Sequence, residues 1–185
     1  MIKIIKDTKI DGTKIIVPKV YKDLRGTFFE SFNKNDFKQA RLPTQFVQDN
    51  QASSVQGTLR GLHYQLKFPQ GKLVRVIKGE VFDVAVDIRK KSPTFKQYTG
   101  IRLSEKNKKI MYLPAGLAHG YLVLSETAIF QYKCTEHYHP DDEYGIKWSD
   151  ENLNINWPIK NPILSTKDLK LPTLKTINPD HLPDY

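Results

Sequence analysis

Only one cysteine, Cys134, occurs in the sequence. A lone thiol excludes an intramolecular disulfide and any all-cysteine zinc site. It also fits a reducing compartment, so a cytoplasmic location is expected. Long apolar runs are missing too: none approaches the roughly 20 residues that span a bilayer. The opening segment, MIKIIKDTKIDG, is broken by lysine and aspartate and does not read as a signal peptide. A soluble protein with no membrane partner is therefore expected. Internal repeats, low-complexity tracts and linkers are absent as well, so residues 1–185 are expected to form one domain. With 39% hydrophobic residues, that domain can bury a core without disulfides or metal.

The formal charge of +9 fits a nucleic acid, an anionic surface or a small anionic ligand such as a nucleotide diphosphate. The lysines are scattered, as at Lys14, Lys19, Lys22, Lys106, Lys108 and Lys109. A dispersed coat reads as a solvated surface rather than a nucleic-acid stripe, so no nucleic-acid partner is expected.

What the chain has in abundance is short strand-like runs. In residues 72–89, KLVRVIKGEVFDVAVDIR, the side chains of Phe82, Val84, Val86 and Ile88 alternate with Asp83, Ala85 and Asp87. That period of two predicts a strand. Lys78-Gly79 interrupts the run where a hairpin turn between two paired strands is expected, because glycine accepts positive φ. Similar runs occur at 14–20, 26–32, 45–50, 58–65, 98–103, 110–113, 121–124 and 128–135. Many short strands at this spacing predict a mainly β fold, a barrel or double-sheet jelly roll. Residues 35–41 predict about two turns of helix ahead of Pro43. The last thirty residues carry Pro158, Pro162, Pro172, Pro179 and Pro183, and are expected to wrap the barrel as loop and short helix.

Reactive side chains concentrate in three places: Gln48-Asp49-Asn50 with residues 60–65, then 114–119, then 132–143. Inward residues of a barrel can line a ligand cavity, but Arg60, His63 and Gln65 do not share parity, so counting does not put them on one face. Residues 114–119, PAGLAH, resemble the second motif of the cupin superfamily, a proline and glycine turn that delivers a histidine into a barrel. A metal-binding cupin would also have two histidines one residue apart and a glutamate. Here those positions read His63-Tyr64-Gln65 and Lys72. An ammonium in place of a carboxylate repels a divalent cation, so no metal is expected and the site looks adapted to negative charge. Taken alone, His63 and His119 are as readily packed strand histidines as functional ones.

The segments QDNQASSVQGTLRGLHYQ (48–65) and GKLVRVIKGEVFDVAVD (71–87) closely resemble the dTDP-4-dehydrorhamnose 3,5-epimerase family. So do DLRGTFFE (23–30), LPAGLAHGYLVL (113–124), residues 132–143 and LSTKD (164–168), in order along nearly the whole chain. The resemblance implies a cupin-like jelly-roll β-barrel with short helices and a loop-rich C-terminal segment. It also implies a homodimer that works without cofactor on a dTDP-linked 4-keto-6-deoxyhexose. The family inverts two carbons flanking a 4-keto group, which requires a base, an acid and a group that stabilises the enolate.

By this resemblance His63 is the base, Asp168 its partner carboxylate, Tyr132 the acid and Lys72 the cation beside the sugar carbonyl. Arg25 and Arg60 match guanidinium contacts to the pyrophosphate. Tyr138 matches the aromatic that stacks on the base, although the chain reads Glu136-His137-Tyr138-His139 where relatives often carry adjacent tyrosines. Glu30, Gln48, Asp49, Asn50, His119, Glu143 and Lys167 match the remaining substrate contacts. Without the resemblance, Lys72 would read as a strand-end lysine, Tyr132 as a core tyrosine and Asp168 as a loop cap. Three other readings stay open: a mono-epimerase or ketoisomerase acting on a related dTDP-ketosugar, a non-catalytic sugar-nucleotide-binding cupin, and a metal-dependent cupin enzyme.

Overall fold

The computed structural model of the chain describes residues 2–6 and 9–185; Met1, Asp7 and Thr8, within the polar-interrupted N-terminal segment, lie outside the described residues. The first half runs β1 (Ile2–Lys6), β2 (Lys14–Pro18), β3 (Tyr21–Asp23), β4 (Gly26–Phe28), α1 (Lys34–Gln39), β5 (Gln48–Val55) and β6 (Leu59–Gln65). It continues with β7 (Lys72–Lys78), β8 (Glu80–Asp87), β9 (Tyr98–Ser104), β10 (Ile110–Leu113), β11 (Leu117–Val123), β12 (Thr127–Cys134) and β13 (Glu143–Gly145). Two sheets form the jelly-roll barrel: six strands in the order β1-β2-β10-β7-β12-β5, and five in the order β13-β6-β11-β8-β9. β3 and β4 make a separate small hairpin.

Burial explains why the strand runs are so apolar. On β8, Val81 and Ala85 enter the cluster between the sheets with Val74, Met111 and Phe130, while Val84 and Val86 face outward. That outer face is covered by Leu153, Trp157, Ile177 and Leu182 of the C-terminal segment, so the proline-rich tail wraps the barrel as expected. A strand buried on both faces reads as a nearly continuous hydrophobic run. On the other sheet α1 packs Phe37 against Ile16, Leu73 and Ile110. The helix starts where the Asn33 side chain accepts hydrogen bonds from the backbone N–H groups of Asn35 and Asp36, a normal cap for the otherwise unpaired first turn.

One expectation is corrected. β7 and β8 are not a paired hairpin: β7 pairs with β10 and β12 in one sheet, and β8 with β9 and β11 in the other. The chain at Gly79 instead crosses from sheet to sheet. Gly79 has φ +79, and a Cβ there would stand 2.2 Å from the Thr127 carbonyl oxygen, so the corner needs glycine. Its turn signal was real, but a local signal does not specify which neighbours the following strand will find.

Candidate active site

A bulge assembles the site. β6 and β11 pair His63 with His119 and Arg60 with Tyr121, so three residue steps on β6 oppose two on β11. The extra residue lies at Gly61-Leu62. Gly61 has φ +111, and a Cβ on it would meet the His119 carbonyl oxygen at 2.5 Å. An inserted residue reverses the in-out alternation of everything beyond it. Arg60 and His63, of opposite parity, consequently line the same cavity of about 440 Å³.

His63 and Asp168 come together from distant parts of the chain, with His63 Nε2 2.6 Å from Asp168 Oδ1. Asp168 opens a 3-10 turn (Asp168–Lys170), and its backbone N–H donates to Ser165 Oγ at 3.1 Å, which fixes the carboxylate's direction. Burial alone would raise the Asp168 pKa. The hydrogen bond and charge of His63, Ser165 and the charge of Lys167 outweigh it and hold the carboxyl below its ordinary value.

Glu143 flanks the other imidazole nitrogen, its Oε1 3.6 Å from His63 Nδ1. β13 puts it there by pairing Glu143 with Gln65 and Gly145 with His63. Glu143 Oε2 accepts from the Tyr138 hydroxyl at 2.6 Å and from the Lys167 ammonium. Burial works to raise the Glu143 pKa, but Lys167, Tyr138 and His63 together bring it below the ordinary value. The same hydrogen bond, aided by burial, pushes the Tyr138 phenol up to about 12.

Lys72 and Tyr132 enter the cavity from the six-stranded sheet, facing His63, His119 and Arg60 on the five-stranded sheet. The Lys72 ammonium lies 5.8 Å from the centroid of the Tyr132 ring. Burial lowers the Lys72 pKa, with Cys134, Glu143 and Asp83 pulling it back up. The Tyr132 hydroxyl is pushed up to about 12, chiefly by burial, so it keeps its proton at neutral pH. The barrel therefore presents an imidazole and a protonated phenol from opposite walls, with a cation beside the phenol.

Not every expected residue is brought to this cavity. On β5, Gln48 and Asn50 are half-buried, whereas Asp49 is on the exposed face and pairs with Lys133 at 2.8 Å. Gln48 Oε1 accepts from the Tyr138 backbone N–H at 2.8 Å, and Asn50 Nδ2 points at Cys134 Sγ, 3.7 Å away. Arg25 is 91% exposed on the β3–β4 hairpin and pairs with Asp23, and exposed Glu30 accepts from Asn33. Arg25 and Glu30 therefore lie outside the cavity of their own chain.

One buried carboxylate in the site was not singled out from the sequence. Asp83, fully buried on β8, holds His119 Nε2 at 3.0 Å. The signal was available: period-two counting puts Asp83 on the same face as Ala85, and an aspartate in the middle of a buried strand needs a partner. Among the described residues no group of three or more His, Cys, Asp or Glu side chains is placed to hold a metal ion.

An imidazole and a protonated phenol on opposed walls of one cavity in a jelly-roll barrel are groups able to move protons on a bound ligand. Residues 7–176 match the family profile described as dTDP-4-dehydrorhamnose 3,5-epimerase. The chain is 51% identical over 178 residues to the dTDP-4-dehydrorhamnose 3,5-epimerase of Methanothermobacter thermautotrophicus, covering 95% of this chain and 96% of that protein. Its fold superposes with a TM-score of 0.96 on the dTDP-6-deoxy-D-glucose-3,5-epimerase of Legionella pneumophila Philadelphia 1 in complex with dTDP-4-keto-L-rhamnose, at 49% identity and covering 100% and 99% of the two chains. It also superposes, with a TM-score of 0.92 and 34% identity, on ChmJ, a 3'-monoepimerase from Streptomyces bikiniensis in complex with dTDP-quinovose, covering 98% and 93%. The chain belongs to the dTDP-4-dehydrorhamnose 3,5-epimerase family.

Proposed function

We propose that this protein converts dTDP-4-dehydro-6-deoxy-D-glucose to dTDP-4-dehydro-L-rhamnose by inverting carbons 3 and 5. The observation that carries this reading is the placement of His63 and Tyr132 on opposite sheets of one cavity. With Asp168 on its Nε2, the His63 imidazole keeps Nδ1 as the basic nitrogen and takes a proton from the carbon next to the carbonyl. The C–H electron pair becomes a C=C bond to the carbonyl carbon and the carbonyl π pair moves onto oxygen, giving an enolate whose negative charge develops near Lys72. Tyr132 then returns a proton to the opposite face of that carbon, and the carbonyl re-forms. His63 then gives up its proton to solvent and Tyr132 regains one from it, and the sequence repeats at the second carbon.

The nucleotide end of the ligand fits Arg60, Lys167 and the ring of Tyr138. Arg25, Glu30 and Asp49, which point away from this chain's own cavity, reach a nucleotide only if a second copy supplies them. This favours a homodimer in which the exposed hairpin, with Leu24 108% exposed and Phe28 68% exposed, lies against its neighbour. No helix among the described residues is long and apolar enough to cross a membrane, and a reaction on a nucleotide sugar suits the cytoplasm.

Proton NMR of the substrate in deuterated buffer tests the reading. Loss of the carbon-3 and carbon-5 proton signals with appearance of the L-sugar is expected. The likeness to ChmJ supports a second reading, mono-epimerisation, which predicts exchange at one carbon only. Binding without exchange at either carbon would leave a sugar-nucleotide-binding protein.

A further inference from the structure

Tyr121 stands in the wall of the cavity with its ring stacked on Phe130, centroids 4.0 Å apart and planes 21° apart. The residue is 4% exposed, yet its hydroxyl has no hydrogen-bond partner within 3.5 Å among the described residues, although Ser54 and Arg60 stand close enough to act on it. Folded proteins seldom leave a buried hydroxyl unpaired, because the group loses its water and gains nothing in return. A residue that only had to stack on Phe130 would do so equally well as phenylalanine. The hydroxyl therefore serves something that enters the cavity.

Its position indicates what that is. Tyr121 lies two residues beyond His119 on β11, on the same inward face, and pairs with Arg60 on the neighbouring strand β6 of the same sheet. The Arg60 guanidinium is held by Ser54 Oγ through Nε at 3.3 Å and through its second terminal nitrogen at 3.2 Å. The hydroxyl thus sits on the Arg60 side of His119, where a positive charge favours an anionic group. Burial raises the phenol's pKa, with the charge of Arg60 and the Ser54 hydroxyl drawing it partly back, so it is a neutral donor at physiological pH. A neutral donor beside a guanidinium complements a phosphoryl oxygen, to which the hydrogen bond is charge-assisted.

We propose that the Tyr121 hydroxyl is a substrate-binding group, donating to an oxygen of the phosphoryl group nearest the sugar. The assignment rests on the dTDP-sugar reading above.

Tyr121→Phe removes the hydroxyl and keeps the ring. By calorimetry the variant should bind dTDP about 10- to 100-fold more weakly, the range for a hydrogen bond to a charged group, and dTMP, which lacks the second phosphate, as well as wild type does. In turnover the KM of the dTDP-sugar should rise while kcat is kept, because a contact remote from the reacting carbons binds ground and transition states alike. Without ligand, the variant's melting temperature should equal or exceed that of wild type, since an unpaired buried hydroxyl has been deleted. Unchanged dTDP affinity overturns the proposal. Weakening confined to sugar-bearing ligands assigns the hydroxyl to the sugar instead, and a lower melting temperature without a binding change makes it structural; both overturn it. Failure of the wild type to bind dTDP would remove the substrate class itself, and this assignment with it.

Discussion

His63 and Asp168 lie 105 residues apart in sequence, yet their side chains meet at 2.6 Å, one from a strand of the barrel and one from a turn of the C-terminal wrap. The barrel supplies the imidazole and the tail supplies its orientation. In the proposed reaction this pair therefore works only with the tail docked, which the Leu153, Trp157, Ile177 and Leu182 cluster secures.

Asp168→Asn should lower kcat by about 10²–10⁴-fold, the usual contribution of a positioned base, with the upper end reached when the loss of the carboxylate leaves the histidine in the wrong tautomer. Binding of dTDP, measured by calorimetry, should change by less than about threefold, since Asp168 faces the imidazole and not a nucleotide contact. A variant with near-normal kcat would show that His63 acts without this partner.

Tyr132→Phe separates the two half-reactions. His63 should still wash deuterium into the substrate, while formation of the L-sugar falls by about 10²–10⁴-fold, the usual contribution of a positioned acid. Because burial keeps the phenol protonated up to about 12, the pH dependence of wild-type inversion near neutrality should owe nothing to Tyr132. Undiminished inversion in the variant would assign the acid to another group.

The site was legible where local pattern and chemistry coincide, and illegible where pairing decides. Alternation along β8 predicted its two faces, and the helix expected over residues 35–41 is α1, Lys34–Gln39, whose cap Asn33 lies two residues before the expected start. His63, Lys72 and Tyr132 were marked by resemblance, and they line one cavity. Arg60 and His63 could not be put on one face by counting because a bulge at Gly61-Leu62 reverses the alternation between them; a glycine inside a strand run was the hint. The corner at Gly79 looked like a hairpin because a turn residue reports a change of direction and nothing about the destination sheet. Asp49 sits between Gln48 and Asn50 in sequence but on the other face of β5, which period two alone could have indicated. β13 has three residues, too few for any periodicity, although it delivers Glu143.

Asp87 offers a test of stability apart from the site. It is fully buried and accepts from Arg89, from Ser92 Oγ at 2.6 Å and from Thr94 Oγ1 at 2.6 Å. Burial would raise its pKa, but these partners hold the carboxyl below the ordinary 3.8. A depressed carboxyl contributes stability that is fully present above its unfolded value and is lost as pH falls through the folded one. Asp87→Asn should cost about 2–4 kcal/mol, because Arg89 is left without its counter-charge in a desolvated setting. In denaturant titrations the gap between variant and wild type should hold from neutrality to about pH 5 and narrow below about pH 4. A gap that is the same at all pH values would rule out ionisation of Asp87 as its source.

In the proposed reaction, Lys72 and Asp83 together are expected to set the alkaline limit. The ammonium must be charged to stabilise an enolate, so activity is present below its pKa and lost above it. Burial lowers that pKa from the ordinary 10.5, while the sulfur of Cys134 and the carboxylates of Glu143 and Asp83 oppose the loss of charge. Asp83→Asn keeps an oxygen near His119 Nε2 but removes one of those charges, so the alkaline limb of kcat should move to lower pH than in wild type. Lys72→Met should abolish that limb and lower kcat by about 10²–10³-fold, the cost of removing one preorganised stabiliser of developing charge. The measurement is a kcat–pH profile for all three proteins. If Asp83→Asn leaves the limb where it was, the buried carboxylate acts on His119 alone, and Glu143 is the carboxylate that maintains the charge of Lys72.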